Sequence, residues 1–305
     1  MTILILGGQD DAHAVHIHER LRERGADVEF FDSRAFPGRL AISFDPQRGG
    51  SIRLPSGRRL TFDQIQSVYW RNYNNVRPPP LPDPEQSFIA LNDARALFES
   101  LLIHLPARWV NGWNAFQLHQ TKPVQLAMVA ALGVQTPATV ITNDPVEVRA
   151  FVEKNPISIF KPVQGGAHTL RVTRDHLSDA NLCNLEYAPI TLQEEVPGTN
   201  IRVFVAGARV LACEVRTEQL DFREDQDPKI LLHELPPELA DTSRRIAATL
   251  DLLWTGMDYR LTPEGRYVFL EANPSPMFMG FESRCGLPLT ESLVTLLMDA
   301  ASPKR

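Results

Sequence analysis

Cysteine is scarce in this chain, and its scarcity excludes much. The three residues Cys183, Cys213 and Cys285 are odd in number and show no CxxC spacing. That argues against a disulfide framework and a structural zinc, and fits a reducing cytoplasm. No run approaches the ~18 apolar residues a membrane span needs. Residues 1–7, MTILILG, lack a basic stretch and a cleavage site, so they read as a first strand and not a signal peptide. Basic excess is missing as well: the net charge of -6 leaves no footprint for nucleic acid. Neither GxGxxG nor GxxxxGK[ST] occurs, which removes the dinucleotide and Walker readings. Gly7-Gly8 follows a strand, but Gln9-Asp10-Asp11 puts acid where a pyrophosphate would sit.

What is present suits a soluble protein of about two domains. A chain of 305 residues with 43% hydrophobic content can bury a proper core. The opening strand, a helix over 11–24 ended by Gly25, and a strand from Val28 predict a parallel sheet. His13, His16 and His18 fall on that helix without a completing ligand pattern, and read as ordinary helix histidines. A hairpin is expected within 41–60. The strand 67–70 runs into Arg71-Asn72-Tyr73-Asn74-Asn75, either a ligand-facing loop or a surface loop with an interdomain salt bridge. A stiff proline connector over 77–84 precedes helical periodicity over 85–105. Thr121 is the expected N-cap of a helix with Pro123 in its first turn and Gly133 at its end.

The second half is richer in strands. The strand 157–160 delivers Lys161 into Pro162-Val163-Gln164-Gly165-Gly166, which suits either a phosphate contact or an exposed lysine before a turn. Residues 191–196, 200–205 and 209–216 predict an antiparallel meander interrupted by Arg202, Glu214 and Arg216, followed by a polar loop at Asp221-Phe222-Arg223. Helices are expected over 238–250 and 288–300, with the hairpin of residues 256–273 between them. Closed tightly around Pro263-Glu264, that hairpin sets Asp258 opposite Phe269 and Arg260 opposite Tyr267. Asp258, Arg260, Glu271 and Asn273 then share one face, with Tyr259, Leu261, Val268, Leu270 and Ala272 on the other. Such a face is either a Mg²⁺ platform of oxygen ligands or a solvated surface with a salt bridge.

Lys122, Lys161, Gln193-Glu194-Glu195-Val196, Arg202, Arg216, Asp258 and Glu271-Ala272-Asn273 occur in an order that resembles the ATP-grasp carboxylate–amine ligases of the RimK-like type. The most specific piece is MDYR followed by LEANPSP, similar to the family's D-x-R/E-x-N-x-x-P metal hairpin. Residues 10–36, 68–72, 109–111 and 142–145 are similar to the ligases that macrocyclise microviridin-type (graspetide) precursor peptides. The resemblance implies an α/β chain, α+β in its second half. A parallel-sheet domain over 1–108 would precede an ATP-grasp region over 109–305, with nucleotide between two subdomains.

It further implies ATP and Mg²⁺ as cofactors, with one or two ions and Mn²⁺ as a substitute. Lys122 and Lys161 would meet ATP phosphates, and Gln193, Glu194, Glu195 and Val196 the base. Asp258, Glu271 and Asn273 would hold the metal, while Arg202, Arg216 and Arg260 would face the acyl-phosphate end as cations. Substrates would be a carboxylate and an amine or hydroxyl, on small molecules or on a precursor peptide. Nucleic acid and membrane are not expected as partners; a cytoplasmic homo-oligomer is. Two departures stand out: Asn200 replaces the family's usual acidic residue at the ribose, and Gly165-Gly166-Ala167-His168 lacks a second glycine pair. They keep open a nucleotide-binding scaffold without turnover.

Overall fold

A computed structural model describes residues 1–164, 168–219 and 222–299. The N-terminal part is a parallel sheet in the order β2-β1-β6-β7. Its strands are β1 (Thr2–Leu6), β2 (Asp27–Phe30), β6 (Ile65–Trp70) and β7 (Arg108–Val110). Helix α1 (Ala12–Glu23) crosses between β1 and β2, capped by the Asp11 side chain on Ala14 N at 2.9 Å. The expected hairpin within 41–60 is a three-stranded sheet, β3 (Ala41–Asp45), β4 (Gly49–Arg53) and β5 (Arg59–Thr61). Helix α2 (Pro84–His104) packs one face of the parallel sheet through Phe98, Leu101 and Leu102. Among the described residues, no helix is long and apolar enough to cross a membrane.

Helices α3 (Trp113–Gln120) and α4 (Lys122–Ala131) lead out of β7. Thr121 lies between them, but its hydroxyl donates to Gln117 O of the preceding helix at 2.9 Å and caps nothing in α4. A second sheet, in the order β10-β9-β11-β8, joins β8 (Thr139–Thr142), β9 (Ser158–Pro162), β10 (Leu170–Arg171) and β11 (Ile190–Glu194). Helices α5 (Pro145–Lys154) and α6 (Asp179–Leu182) cover it, through Val148, Leu182 and Leu192 among others.

The largest sheet has the order β14-β13-β12-β15-β16, from β12 (Thr199–Ala206), β13 (Arg209–Arg216), β14 (Lys229–Leu232), β15 (Trp254–Leu261) and β16 (Tyr267–Asn273). Helices α7 (Pro237–Thr249), α8 (Met279–Cys285) and α9 (Leu289–Met298) complete the chain. The predicted meander is therefore divided. β11 pairs with β8 and β9, whereas β12 pairs with β13 and β15, so the chain changes sheets at residues 195–198. Pro197-Gly198 turns it, and Gly198 has φ 122° with Leu261 O where a Cβ would stand.

Period-two alternation sorts β12 and β15. Ile201, Val203, Met257 and Tyr259 enter the core beneath α4 and α7, while Arg202, Asp258 and Arg260 take the opposite face. A further core unites Ile3, Ile5 and Ile17 of the parallel sheet and α1 with Phe204 and Trp254, through Leu289, Leu293 and Leu297 of α9. Ser67 Oγ and Gln66 Nε2 bond the last carbonyls of α9, at 2.8 and 2.9 Å. The C-terminal helix thus packs on the N-terminal sheet, and β7 runs across the expected boundary between residues 108 and 109.

Candidate functional site

The β15–β16 hairpin departs from the expected register. Its turn contains Pro263-Glu264-Gly265, with Gly265 at φ 79° and Thr262 N bonded to Arg266 O at 2.9 Å. The extra turn residue sets Arg260 opposite Val268 and Leu261 opposite Tyr267. A β-bulge between Asp258 and Tyr259 then skips Leu270, so Asp258 stands directly opposite Glu271. Phe269 therefore fills the core where Val268 and Leu270 were expected, and Leu270 lines the cleft. Alternation alone cannot reveal a bulge, because an inserted residue resets the period.

The hairpin's polar face forms one wall of a cleft of about 750 Å³ between the β10-β9-β11-β8 sheet and the largest sheet. Lys161, Gln193, Glu194, Glu195 and Val196 line it from the opposite wall, and Lys122, Asn200, Arg202, Asp258, Arg260, Glu271 and Asn273 from this one. Gln125, deeply buried in α4, clamps the Ala272 peptide from both sides: its Nε2 donates to Ala272 O at 3.0 Å and its Oε1 accepts from Ala272 N at 2.9 Å. This clamp sets the first turn of α4 against β16, with Lys122 Nζ 2.5 Å from Glu271 Oε2. Burial opposes ionisation of Glu271, but the Lys122 ammonium more than offsets it and holds the carboxyl well below its usual range. Lys161 Nζ lies 3.3 Å from Gln193 Oε1, whose amide nitrogen donates to Thr139 Oγ1 at 3.0 Å.

Arg202, 7% exposed, places Nη1 at 2.6 and 2.7 Å from the two Asp258 oxygens. Its guanidinium also lies 5.5 and 5.8 Å from the Phe204 and Phe281 ring centroids. Asn273 Nδ2 sits 3.4 Å from Asp258 Oδ2 and 3.3 Å from Glu271 Oε1. Two facing carboxylates and an amide form a hard-oxygen donor set suited to Mg²⁺ or Mn²⁺. Among the described residues no group of three or more His, Cys, Asp or Glu gathers as a metal cluster, so the third oxygen must come from an amide or from outside the protein.

The other two arginines lie elsewhere than expected. Arg260 faces the sheet-to-sheet turn, donating to Val196 O at 3.1 Å, to Asn200 Oδ1 at 2.8 Å and to Gly198 O. It braces the end of the cleft beside Val196, away from the carboxylate pair. Asn200 thereby has a partner that an alignment of motifs cannot supply. Arg216 is exposed, pairs with Glu214 at 2.8 Å and does not line the cleft, because its place on β13 is one strand removed from β15. Glu195 meets Arg171 in a two-pronged pair at 2.6 Å, and Glu194 Oε1 accepts from Ala138 N at 3.0 Å. Gly165, Gly166 and Ala167 lie outside the described residues, as does Asp221; His168 Nδ1 lies 2.7 Å from Glu224 Oε1.

Several residues escaped sequence reasoning. Buried Asn111 ties β7 to the hairpin, with Nδ2 donating to Trp254 O and Pro274 O at 2.7 and 2.6 Å and Oδ1 accepting from Leu253 N and Trp254 N at 2.7 and 3.0 Å. Arg71, expected either in a ligand-facing loop or in a surface loop with a salt bridge, bonds Asp11 at 3.0 Å and both Ser275 O and Oγ, at 3.0 and 2.9 Å. His13 and His119 both line the cleft, and nothing in their sequence spacing signals it. Gly8 lies beneath Arg34, which binds Asp10 and Asp32, so acid there serves an ion cluster.

A cleft closed by two sheets and floored by a carboxylate-bearing hairpin defines the ATP-grasp class. Among solved structures, the chain is similar to the ATP-grasp ligase PsnB with its minimal precursor, at 29% identity and TM-score 0.86, covering 98% of this chain and 99% of that one. PsnB with precursor peptide PsnA2 and AMPPNP is 30% identical at TM-score 0.80, covering 97% of each chain. The macrocyclase MdnC of Microcystis aeruginosa MRC, bound with precursor peptide MdnA, shares the fold at 22% identity and TM-score 0.85, covering 98% of this chain and 100% of that one. No family model and no curated protein matches the sequence. The chain belongs to the ATP-grasp ligases.

Proposed function

We propose that this protein is an ATP- and Mg²⁺-dependent ligase that joins a carboxylate to an amine or hydroxyl, on a peptide substrate. The observation that carries this reading is the juxtaposition of Asp258 and Glu271 across the hairpin, with Lys122 and Arg202 against them in one cleft. Support for a peptide comes from PsnB, solved with precursor peptide PsnA2 and AMPPNP, and also with minimal precursor, Mg and ADP.

ATP phosphorylates the carboxylate, releasing ADP; the amine or hydroxyl then attacks the acyl carbon and expels phosphate. A carboxylate is a poor electrophile because its leaving group is oxide, and the phosphoryl group removes that obstacle. The protein's work is positioning and charge neutralisation. Lys122 and Lys161 would receive the phosphates, the segment Gln193–Val196 with Asn200 the nucleoside, and Asp258, Glu271 and Asn273 the cation. Bound Mg²⁺ would neutralise phosphate oxygens and align the transferred group. We assign Arg202 to the acyl-phosphate end, Arg260 to bracing the turn at residues 196–200, and Arg216 to no contact with the reacting groups. Residues 1–108 would act as an N-terminal unit completing the substrate end. A cytoplasmic setting suits the free Cys183, Cys213 and Cys285. Assembly into homo-oligomers follows the family.

The decisive experiment is ADP release with Mg-ATP and candidate peptides, alongside calorimetry of Mg-ATP binding. Turnover is expected in the wild type and lost in Asp258→Ala and Glu271→Ala. A wild-type protein that binds no Mg-ATP would overturn the assignment.

A further inference from the structure

Gln125 holds the residue that lies between two of the candidate cation ligands. It sits in α4, 2% exposed and outside the cleft lining, and exchanges two hydrogen bonds with Ala272. Its Nε2 donates to Ala272 O at 3.0 Å, and Ala272 N donates to its Oε1 at 2.9 Å. A primary amide offers a carbonyl acceptor and an N–H donor, as a peptide group does, so this side chain pairs with β16 as a neighbouring strand would. Lys122 stands three residues earlier, where a helix presents the same face, and takes Glu271. Helix α4 thus grips two consecutive residues of β16.

The strand depends on that grip at this point. β16 is the last strand of its sheet and, among the described strands, pairs only with β15. The bulge between Asp258 and Tyr259 interrupts that ladder beside the carboxylate pair, and a bulge leaves the local pairing disrupted. A second bond on the outer edge, from Phe269 N to Gln135 O at 2.8 Å, lies three residues away. The spacing between Asp258 and Glu271 is therefore braced from outside the sheet. Cations differ in how strictly they need such spacing. Mg²⁺ demands near-ideal octahedral geometry at about 2.0–2.1 Å, whereas Ca²⁺ takes its oxygens at about 2.3–2.6 Å in flexible arrangements. A carboxylate pair free to drift loses more with Mg²⁺ than with Ca²⁺.

We propose that Gln125 is a positioning residue that selects Mg²⁺ over Ca²⁺ by fixing Glu271 and Asn273 at the spacing the smaller ion requires. The assignment rests on the ligase reading, with its cation at Asp258, Glu271 and Asn273, and adds to it a buried residue behind the site.

Calorimetry of ADP binding to the full-length protein in Mg²⁺, in Ca²⁺ and in EDTA tests it. The wild type is expected to bind Mg-ADP more tightly than Ca-ADP. In Gln125→Met the Mg-ADP affinity should fall about tenfold or more and the Ca-ADP affinity by less than about threefold, so the preference collapses. A role in packing alone would lower the melting temperature and weaken both forms alike, so an unchanged ratio overturns the proposal. A wild type that binds the two forms equally overturns it too. Should Gln125→Met bind neither form, Gln125→Glu decides by the same ratio. That variant keeps the bulk and the acceptor for Ala272 N but sets an oxygen against Ala272 O, and its charge acts alike on two divalent ions. Loss of both forms in both variants assigns Gln125 to packing and overturns the proposal. The EDTA arm separates the two levels. A wild type that binds ADP no more tightly with Mg²⁺ than in EDTA overturns the cation site of the ligase reading. Metal-dependent binding with an unchanged ratio in the variant overturns only the role of Gln125.

Discussion

Arg202 and Asp258 face each other across β12 and β15 as register partners, and Arg202 Nη1 bonds both carboxylate oxygens. The pair is nearly buried, with side chains 8% and 17% exposed. Removing one member leaves the other charge desolvated without compensation. Asp258→Asn should therefore lower the unfolding free energy by about 3 kcal/mol, within the range for broken buried pairs. Urea denaturation checks this. Arg202→Met combined with Asp258→Asn should be less destabilising than the sum of the two single changes.

Glu271 supplies an acid-side signature. Its folded-state pKa is depressed, chiefly by Lys122 against the opposing effect of burial. A depressed carboxylate contributes stability that is fully present above the unfolded-state value of about 4.3, and that is lost as pH falls through the lower folded value. In Lys122→Met the favourable ammonium is gone and burial dominates, so the carboxyl pKa should rise. The variant should therefore be less stable than wild type chiefly above about pH 4.3, and should lose less stability than wild type as pH falls below it, as urea denaturation at a series of pH values would show.

His13 behaves in the complementary way. Its folded pKa of about 4 lies below the unfolded value of about 6.5, so the unfolded chain binds more protons in that window. Stability is therefore complete above about pH 6.5 and falls as pH drops toward 4. His13→Gln cannot titrate and should flatten that segment of the stability curve. An unchanged slope between wild type and variant would show that His13 is not held neutral.

At Gly198 the turn between β11 and β12 needs φ 122°, and an added Cβ would lie 2.0 Å from Leu261 O. Gly198→Ala should cost about 1–3 kcal/mol from the backbone conformation alone. The turn also accepts a hydrogen bond from Arg260, so nucleotide affinity should fall along with thermal stability. Calorimetry with Mg-ATP and a melting curve together check both effects. A variant that melts like wild type would show that the turn tolerates the strain.

Much of the element order was legible because strands and helices announce themselves locally. Helices over 85–105 and 238–250 are close to α2 and α7, and the division between a parallel N-terminal sheet and a strand-rich remainder holds. Lys122, Lys161, Arg202, Asp258, Glu271 and Asn273 also meet in one cleft, since motif order constrains which side chains converge. Alternation placed Asp258 and Glu271 on one face, but could not see the bulge that sets them opposite each other.

The rest depends on partners distant in sequence. The apparent meander splits because β11 finds edges on β8 and β9, and hydrogen-bond partners are not written in a strand's own residues. Arg260 and Arg216 have the same charge and the same strand setting, yet one meets Val196 and Asn200 and the other, among the described residues, pairs with Glu214. His13 reaches the cleft only because α1, α9 and the segment after β16 share a core. The sequence by itself determined the chemistry available: lysines, arginines and oxygen ligands in place of a nucleophile. Tertiary structure decided which of those groups face one another, because burial and pairing are properties of contacts between segments and not of any segment alone.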